Sequence, residues 1–124
     1  MENVFLKKGH IYKLVHDDIK VGANYFRFTA LSNCIIFSPS NDMLVKNDGK
    51  NFMCDFLITF DKVLLLNQST SYCRDCHFEI PTDEDMEFVL SLFKKFKLVN
   101  KLASFLRGSN FRYNRKLGKI VQLL

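Results

Sequence analysis

The stretch PTDEDMEFVLSLFKKF, residues 81–96, marks a change of pattern along the chain. Thr82 is a typical helix N-cap, and Asp85 follows three residues later, as in a capping box. Acidic side chains fill the first turn, where the helix dipole favours negative charge. Apolar residues then recur at helical spacing, at Val89, Leu92, Phe93, Phe96 and Val99. The stretch therefore predicts an amphipathic helix that begins near residue 82.

The end of this helix is less regular. Lys94, Lys97 and Lys101 would lie on the face opposite the apolar stripe, but Leu98 and Phe105 would lie among them if the helix ran to residue 106. Either the helix breaks near Lys97 and restarts with Asn100 as its cap, or Leu98 and Phe105 are exposed apolar groups on a basic face. We favour the break.

The residues before the helix have a different pattern. Short segments rich in aromatic and β-branched residues alternate with turn residues, which predicts strands at 11–15, 25–31, 34–37, 52–58 and 63–66. After Gly108, which suits a helix C-terminus, residues 111–114 and 119–123 predict a hairpin. The expected fold class is α+β, with an N-terminal five- or six-stranded antiparallel sheet or small barrel, then one long or two short helices, and a C-terminal β-hairpin.

Length and composition indicate one domain over residues 1–124, with a β-rich part at 1–80, a helical part at 81–107 and a basic hairpin at 108–124. The chain is 48% apolar and has thirteen Phe, which is enough for a hydrophobic core. Its start does not resemble a signal peptide, and no apolar run approaches the roughly 20 residues of a membrane span. We expect a cytoplasmic protein with no membrane partner.

Charge is distributed unevenly along the chain. Residues 1–87 contain nine Lys and Arg and all thirteen Asp and Glu, whereas residues 88–124 contain nine Lys and Arg and no Asp or Glu. A surface that only promotes solubility mixes both signs, so the acid-free part points to an anionic partner.

The side chains of this part have the chemistry of a nucleic-acid interface. Lys and Arg neutralise phosphates, and aromatic rings and guanidinium groups stack on unpaired bases. A solvated basic face with core aromatics behind it is the alternative. The predicted partner-binding residues are Lys94, Lys95, Lys97, Leu98, Lys101, Phe105, Arg107, Arg112, Tyr113, Arg115, Lys116 and Lys119.

Four cysteines are candidates for metal chemistry. Cys73 and Cys76 form a C-x-x-C pair followed by His77, a set that suits tetrahedral Zn²⁺ if Cys34 or Cys54 completes it. These last two lie in apolar strands, where a lone Cys is usually a small buried hydrophobe. We therefore expect no cofactor, and a Zn²⁺ site at Cys73, Cys76 and His77 is the lesser alternative.

Enzymatic chemistry finds little support in the sequence. There is no Gly-rich phosphate loop, no paired-carboxylate constellation and no Ser/His/Asp set. A nucleophile–base pair at Cys76 and His77 is disfavoured because adjacent strand residues point to opposite faces. We expect a protein that is not an enzyme.

Three short segments resemble motifs of a known group of proteins. LKKGH (6–10), PTDED (81–85) and FRYN (111–114) resemble the K-K-G-D strand start, the A-T-x-E-E helix start and the G-Y-x-W-N/D basic hairpin of small uncharacterised proteins of bacterial phages and mobile elements. This chain departs from them at His10, which replaces an acid, and by about a dozen extra residues, 98–109. The resemblance implies a phage or mobile-element origin, hence a bacterial host cytoplasm, and assigns no catalytic residues.

Charge and resemblance together give three functional hypotheses. The first is a non-enzymatic protein that docks on a host nucleic-acid-processing protein or ribonucleoprotein and inhibits it, as an anti-CRISPR inhibitor of a nuclease does. The second is a stand-alone RNA- or DNA-binding or regulatory module. The third is a virion or other structural protein.

Overall fold

The computed structural model describes residues 3–15, 18–21, 24–27, 34–46, 52–59, 64–72 and 76–123. In this part of the chain the elements, in order, are β1 (Asn3–Leu6), β2 (Tyr12–Val15), β3 (Asp18–Val21), β4 (Asn24–Arg27), β5 (Cys34–Pro39), β6 (Met43–Lys46), β7 (Phe52–Thr59), β8 (Leu64–Tyr72), β9 (His77–Glu79), α1 (Asp83–Lys95), a 3-10 turn (Val99–Lys101), α2 (Leu102–Leu106), β10 (Phe111–Asn114) and β11 (Lys119–Gln122).

The strands form one large sheet and two ribbons, which confirms the α+β class. The large sheet has the order β4-β3-β8-β7-β5-β2-β9, and the ribbons are β1-β6 and the C-terminal hairpin β10-β11. Every described pairing is antiparallel. The open strand order corresponds to the sheet rather than the barrel, and its seven strands correct the predicted five or six.

Four described strands, β1, β3, β6 and β9, were missed by the sequence analysis. Each has only three or four residues. Two predicted strands reach beyond the described residues, at 28–31 and at 63.

The inner strand β5, between β7 and β2, is buried on both faces. Ile36 belongs to a cluster with the helices, whereas Ile35 and Phe37 belong to a second cluster that includes Leu6 of β1. Alternate side chains of a strand point to opposite faces, so the sheet has a core on each side. The helices cover one face, and the β1-β6 ribbon covers the other, with Val4, Met43 and Val45 packed against it.

Helix α1 begins with the predicted capping box. The Asp85 backbone N–H donates to the Thr82 hydroxyl (3.1 Å), and the Thr82 N–H donates to the Asp85 carboxylate (2.8 Å). That carboxylate also accepts a hydrogen bond from Lys13 Nζ of β2 at 2.9 Å. Burial alone would lower the pKa of Lys13, but the hydrogen bond and charge of Asp85 outweigh it and raise the pKa. The cap therefore ties the helix to the sheet.

The predicted helix break is confirmed, with one correction to its details. Lys97 adopts a left-handed conformation, φ 57°. Its N–H donates to the Lys94 carbonyl (3.1 Å), and the Leu98 N–H donates to the Phe93 carbonyl (2.8 Å), which together make a Schellman motif. Asn100 does not cap the second helix, because it lies within the 3-10 turn.

Replacing Lys97 by Gly is expected to raise the free energy of unfolding by about 0.5–1 kcal/mol. An L-residue at this left-handed position carries a steric cost that glycine lacks, partly offset by the greater freedom of glycine in the unfolded chain. Lys101→Gly removes the same charge from the 3-10 turn, where φ is not positive. This variant is expected to lower the free energy of unfolding. Urea unfolding of both variants checks the difference. Equal losses would contradict the left-handed geometry.

The side chain of Asn110 connects the start of the C-terminal hairpin to the N-terminal part of the chain. Asn110 Oδ1 accepts from the Ile11 backbone N–H (2.7 Å), and its Nδ2 donates to the Ile11 carbonyl (3.0 Å). Because Ile11 is fully buried, this pair satisfies backbone groups that would otherwise be costly to bury. Phe111 and Ile120 of the hairpin belong to the buried cluster between the sheet and the helices, which we call the helix-side core. The position of the hairpin beside α2 is thus fixed by packing and by hydrogen bonds.

Neither helix in the described part of the chain is long and apolar enough to cross a membrane.

Candidate nucleic-acid interface

The nine basic side chains after residue 87 are all exposed. Lys94 and Lys95 lie in the last turn of α1, and Lys97 and Lys101 follow in the connection to α2. The remaining five lie at the end of α2 and along the hairpin: Arg107, Arg112, Arg115, Lys116 and Lys119. Folding therefore leaves the whole acid-free charge available to a partner.

Three of these cations line one groove. We call it the arginine groove and define it by its lining residues, which include Arg107 at the end of α2 and Arg112 and Arg115 on the hairpin. The groove is open, has a volume of about 790 Å³, and is lined by Val99, Asn100, Ala103, Leu106, Arg107, Arg112, Tyr113 and Arg115.

The local folding of the chain explains why these residues meet. Gly108, with φ 72°, ends the helical part as predicted and reverses the chain between α2 and β10. The Ser109 hydroxyl bridges the N–H and carbonyl of Phe111 (3.0 and 2.8 Å), which holds the reversed chain. Leu106 and Phe111 are buried in the same cluster, so α2 and β10 pack together. Arg107 and Arg112, on either side of this reversal, therefore face one groove.

The charged side chains that line the arginine groove are all positive. Among the residues that the structure describes, no carboxylate forms an ion pair with Arg107, Arg112 or Arg115. The ion pairs of Lys13 with Glu79 and Asp85 lie instead around β2 and β9. Guanidinium groups present forked donors that match phosphate oxygens. The groove is therefore suited to an anion with several oxygen acceptors.

Two predicted contact residues belong instead to the interior. Leu98 and Phe105 are only partly exposed and pack against the helix-side core. The Phe105 ring lies 4.0 Å from the centroid of Phe56 and 5.3 Å from that of Phe93. The helix break turns both toward the sheet, and a contact of either residue with a partner stays a prediction.

Tyr113 has both roles. It is partly buried against the helix-side core and also lines the arginine groove. Its packing fixes the ring at the groove beside Arg112 and Arg115, and its role in partner binding stays a prediction.

Other lining residues were missed by the sequence analysis. Val99, Asn100, Ala103 and Leu106 form the helical wall, and charge or aromatic content gives no signal for them. Their spacing of three or four residues, which places side chains on one helix face, was the available clue.

Exposed apolar side chains also occur near this part of the chain. Phe96, Leu117 and Leu123 are 46%, 62% and 45% exposed. Phe96 was expected in the buried stripe of α1. The helix ends at Lys95, and Phe96 is the C-cap residue with an exposed side chain.

The candidate Zn²⁺ ligands are only partly described. Cys73 lies outside the described residues, Cys76 is a buried thiol, and His77 is exposed with its Nε2 2.6 Å from Glu79 Oε2. Within the described ranges, no group of three His, Cys, Asp or Glu side chains could hold a metal ion.

Cys34 and Cys54 are buried thiols of the core, and neither is suited to nucleophilic chemistry. Burial raises the pKa of Cys34 to about 12, the positive charge of Lys13 opposing this only in part. Burial and the negative charge of Asp55 raise the pKa of Cys54 further. Thiolates are the reactive form, so both side chains are expected to resist alkylation in the folded protein.

The two thiols predict an alkaline loss of stability. The folded state keeps these protons above pH 9, where an ordinary thiol ionises in the unfolded chain, so the unfolded state binds fewer protons. Each thiol then lowers the free energy of unfolding by up to about 1.4 kcal/mol per pH unit. Urea unfolding at pH 8, 9 and 10 is expected to show this decline, and the Cys34→Ala/Cys54→Ala variant a flatter one. Parallel declines would show that other groups cause it.

The chain matches no protein-family model, no curated protein and no solved structure.

Proposed function

We propose that this protein is a non-enzymatic binding protein that holds the phosphate backbone of RNA or DNA in the arginine groove. The observation that carries the proposal is the convergence of three exposed guanidinium groups on one groove, in a part of the chain without a carboxylate side chain. None of the three has an ion-pair partner among the residues that the structure describes. Phosphate contacts of this kind release counterions and supply affinity that is independent of sequence.

The salt dependence of binding measures how much of the basic surface takes part. For a single strand, log K falls with log salt by about 0.7 per phosphate contact. Three contacts would weaken binding about 20-fold between 50 and 200 mM salt, whereas nine would weaken it several thousand-fold.

Titration of labelled RNA and DNA 20-mers at both salt concentrations tests the proposal. Binding at 50 mM with a slope that indicates three or more contacts is the expected result. The proposal fails if neither nucleic acid binds at 50 mM salt.

A second candidate function is docking on a host nucleic-acid-processing protein or ribonucleoprotein, with inhibition of its nuclease. The exposed apolar side chains of Phe96, Leu117 and Leu123 favour it, since protein interfaces need apolar anchors beside charged groups. The resemblance to phage and mobile-element proteins supplies the inhibitory role, and a bacterial cytoplasm would be the setting.

Capture from a bacterial lysate, with and without nuclease treatment, separates the two candidates. The second candidate expects recovery of a nuclease subunit after the nucleic acid is digested, and inhibition of its cleavage by the purified protein. Loss of every captured protein on nuclease treatment would leave nucleic-acid binding as the function.

A further inference from the structure

We infer that the arginine groove distinguishes single strands from duplexes by accepting one unpaired nucleotide, its base between the apolar helical wall and the ring of Tyr113 and its phosphates on the arginines. The inference rests on the proposed function and adds the form of nucleic acid that the groove selects.

The groove has two chemically different sides. Val99, Ala103 and Leu106 give the helical wall an apolar surface, and the ring of Tyr113 belongs to the hairpin side. The cations are Arg107, Arg112 and Arg115. A ligand that contacts both sides combines an apolar group with an anion, and the base and phosphate of a nucleotide supply these two groups.

The size of the groove agrees with this ligand. Its volume of about 790 Å³ lies within the range of about 300–1,000 Å³ that is typical of small-molecule sites. One nucleotide and part of its neighbour fit such a space. A duplex keeps its bases stacked and paired, so it can offer phosphates to the arginines but no base face to the apolar wall.

Asn100 adds a polar group to this wall. It lies exposed in the 3-10 turn, and its amide can both donate and accept a hydrogen bond. Base edges and the ribose 2′-hydroxyl are groups that an amide can pair with. Asn100 is therefore the residue most suited to contact the base edge or the sugar.

Base stacking sets the expected size of the effect. Removing one stacked base weakens single-strand binding by about 5- to 150-fold. We expect a single-stranded 10-mer to bind at least about fivefold more tightly than a strand of the same length in which abasic linkers replace the bases. The matched duplex should bind as weakly as the abasic strand.

Fluorescence anisotropy with the wild-type protein tests this at constant salt. Equal affinity for the single strand, the abasic strand and the duplex would overturn the inference and leave phosphate binding intact. Failure of all three to bind would overturn the proposed function itself.

Variants of Tyr113 test whether its ring contacts the base. Tyr113→Phe keeps the ring and is expected to keep the preference for the intact strand. Tyr113→Leu is expected to lower the affinity for the intact strand toward the affinity for the abasic strand. An unchanged preference in folded Tyr113→Leu protein would remove Tyr113 from the base site, and the abasic comparison would still decide the inference.

Discussion

Replacing Arg107, Arg112 and Arg115 together by Gln is expected to weaken binding to single-stranded RNA by at least about 100-fold at 50 mM salt. Hydrogen bonds between charged partners each contribute about 1.5–3 kcal/mol, and three of them would be lost. The slope of log K against log salt should also fall by about 2, since three phosphate contacts disappear. Anisotropy titrations at several salt concentrations give both quantities.

A matched variant separates the groove from total charge. Lys7, Lys8 and Lys46 are exposed, lie on or beside the β1-β6 ribbon, and do not line the arginine groove. Replacing all three by Gln removes the same charge, and affinity is expected to change by no more than a few-fold, as a screened long-range effect. If both triple variants lose affinity equally, the groove has no special role.

Replacing Phe56 by Ala is expected to lower the free energy of unfolding by about 3–5 kcal/mol. Its ring stacks on Phe93 of α1 with an interplanar angle of 7° and lies 4.0 Å from Phe105 of α2. The substitution thus removes one of the sheet side chains against which both helices pack. Urea unfolding followed by circular dichroism measures the loss.

The same substitution at an exposed phenylalanine provides the control. Phe5 of β1 is 56% exposed and pairs across the ribbon with Leu44. Phe5→Ala is expected to cost less than about 1 kcal/mol, the typical value of a cross-strand pair. Similar losses in Phe56→Ala and Phe5→Ala would mean that the helices do not depend on the aromatic cluster.

The sequence was most informative where local chemistry fixes the backbone. The capping box of Thr82 and Asp85, the helix break and the terminal hairpin were all predicted, because caps and turns depend on residues only a few positions apart. The short strands β1 and β6 were missed because what stabilises them is their pairing with each other and their packing on the sheet, which are long-range contacts.

The candidate site was predicted in part for the same reason. Arg112, Tyr113 and Arg115 belong to one short hairpin, so their proximity follows from local structure. Their meeting with Arg107 and with the apolar wall of α2 depends on the Schellman motif at Lys97, which redirects the chain. The contacts of Phe105 could not be predicted from the sequence because its environment is set by Phe56, 49 positions earlier in the chain.

Mapping of backbone and arginine side-chain NMR shifts during titration with a short RNA strand tests the central claim most directly. The arginine groove predicts that the largest changes fall on the Nε resonances of Arg107, Arg112 and Arg115 and on the backbone of residues 99–115. Changes concentrated on the β1-β6 ribbon, or no saturable changes at 50 mM salt, would contradict it.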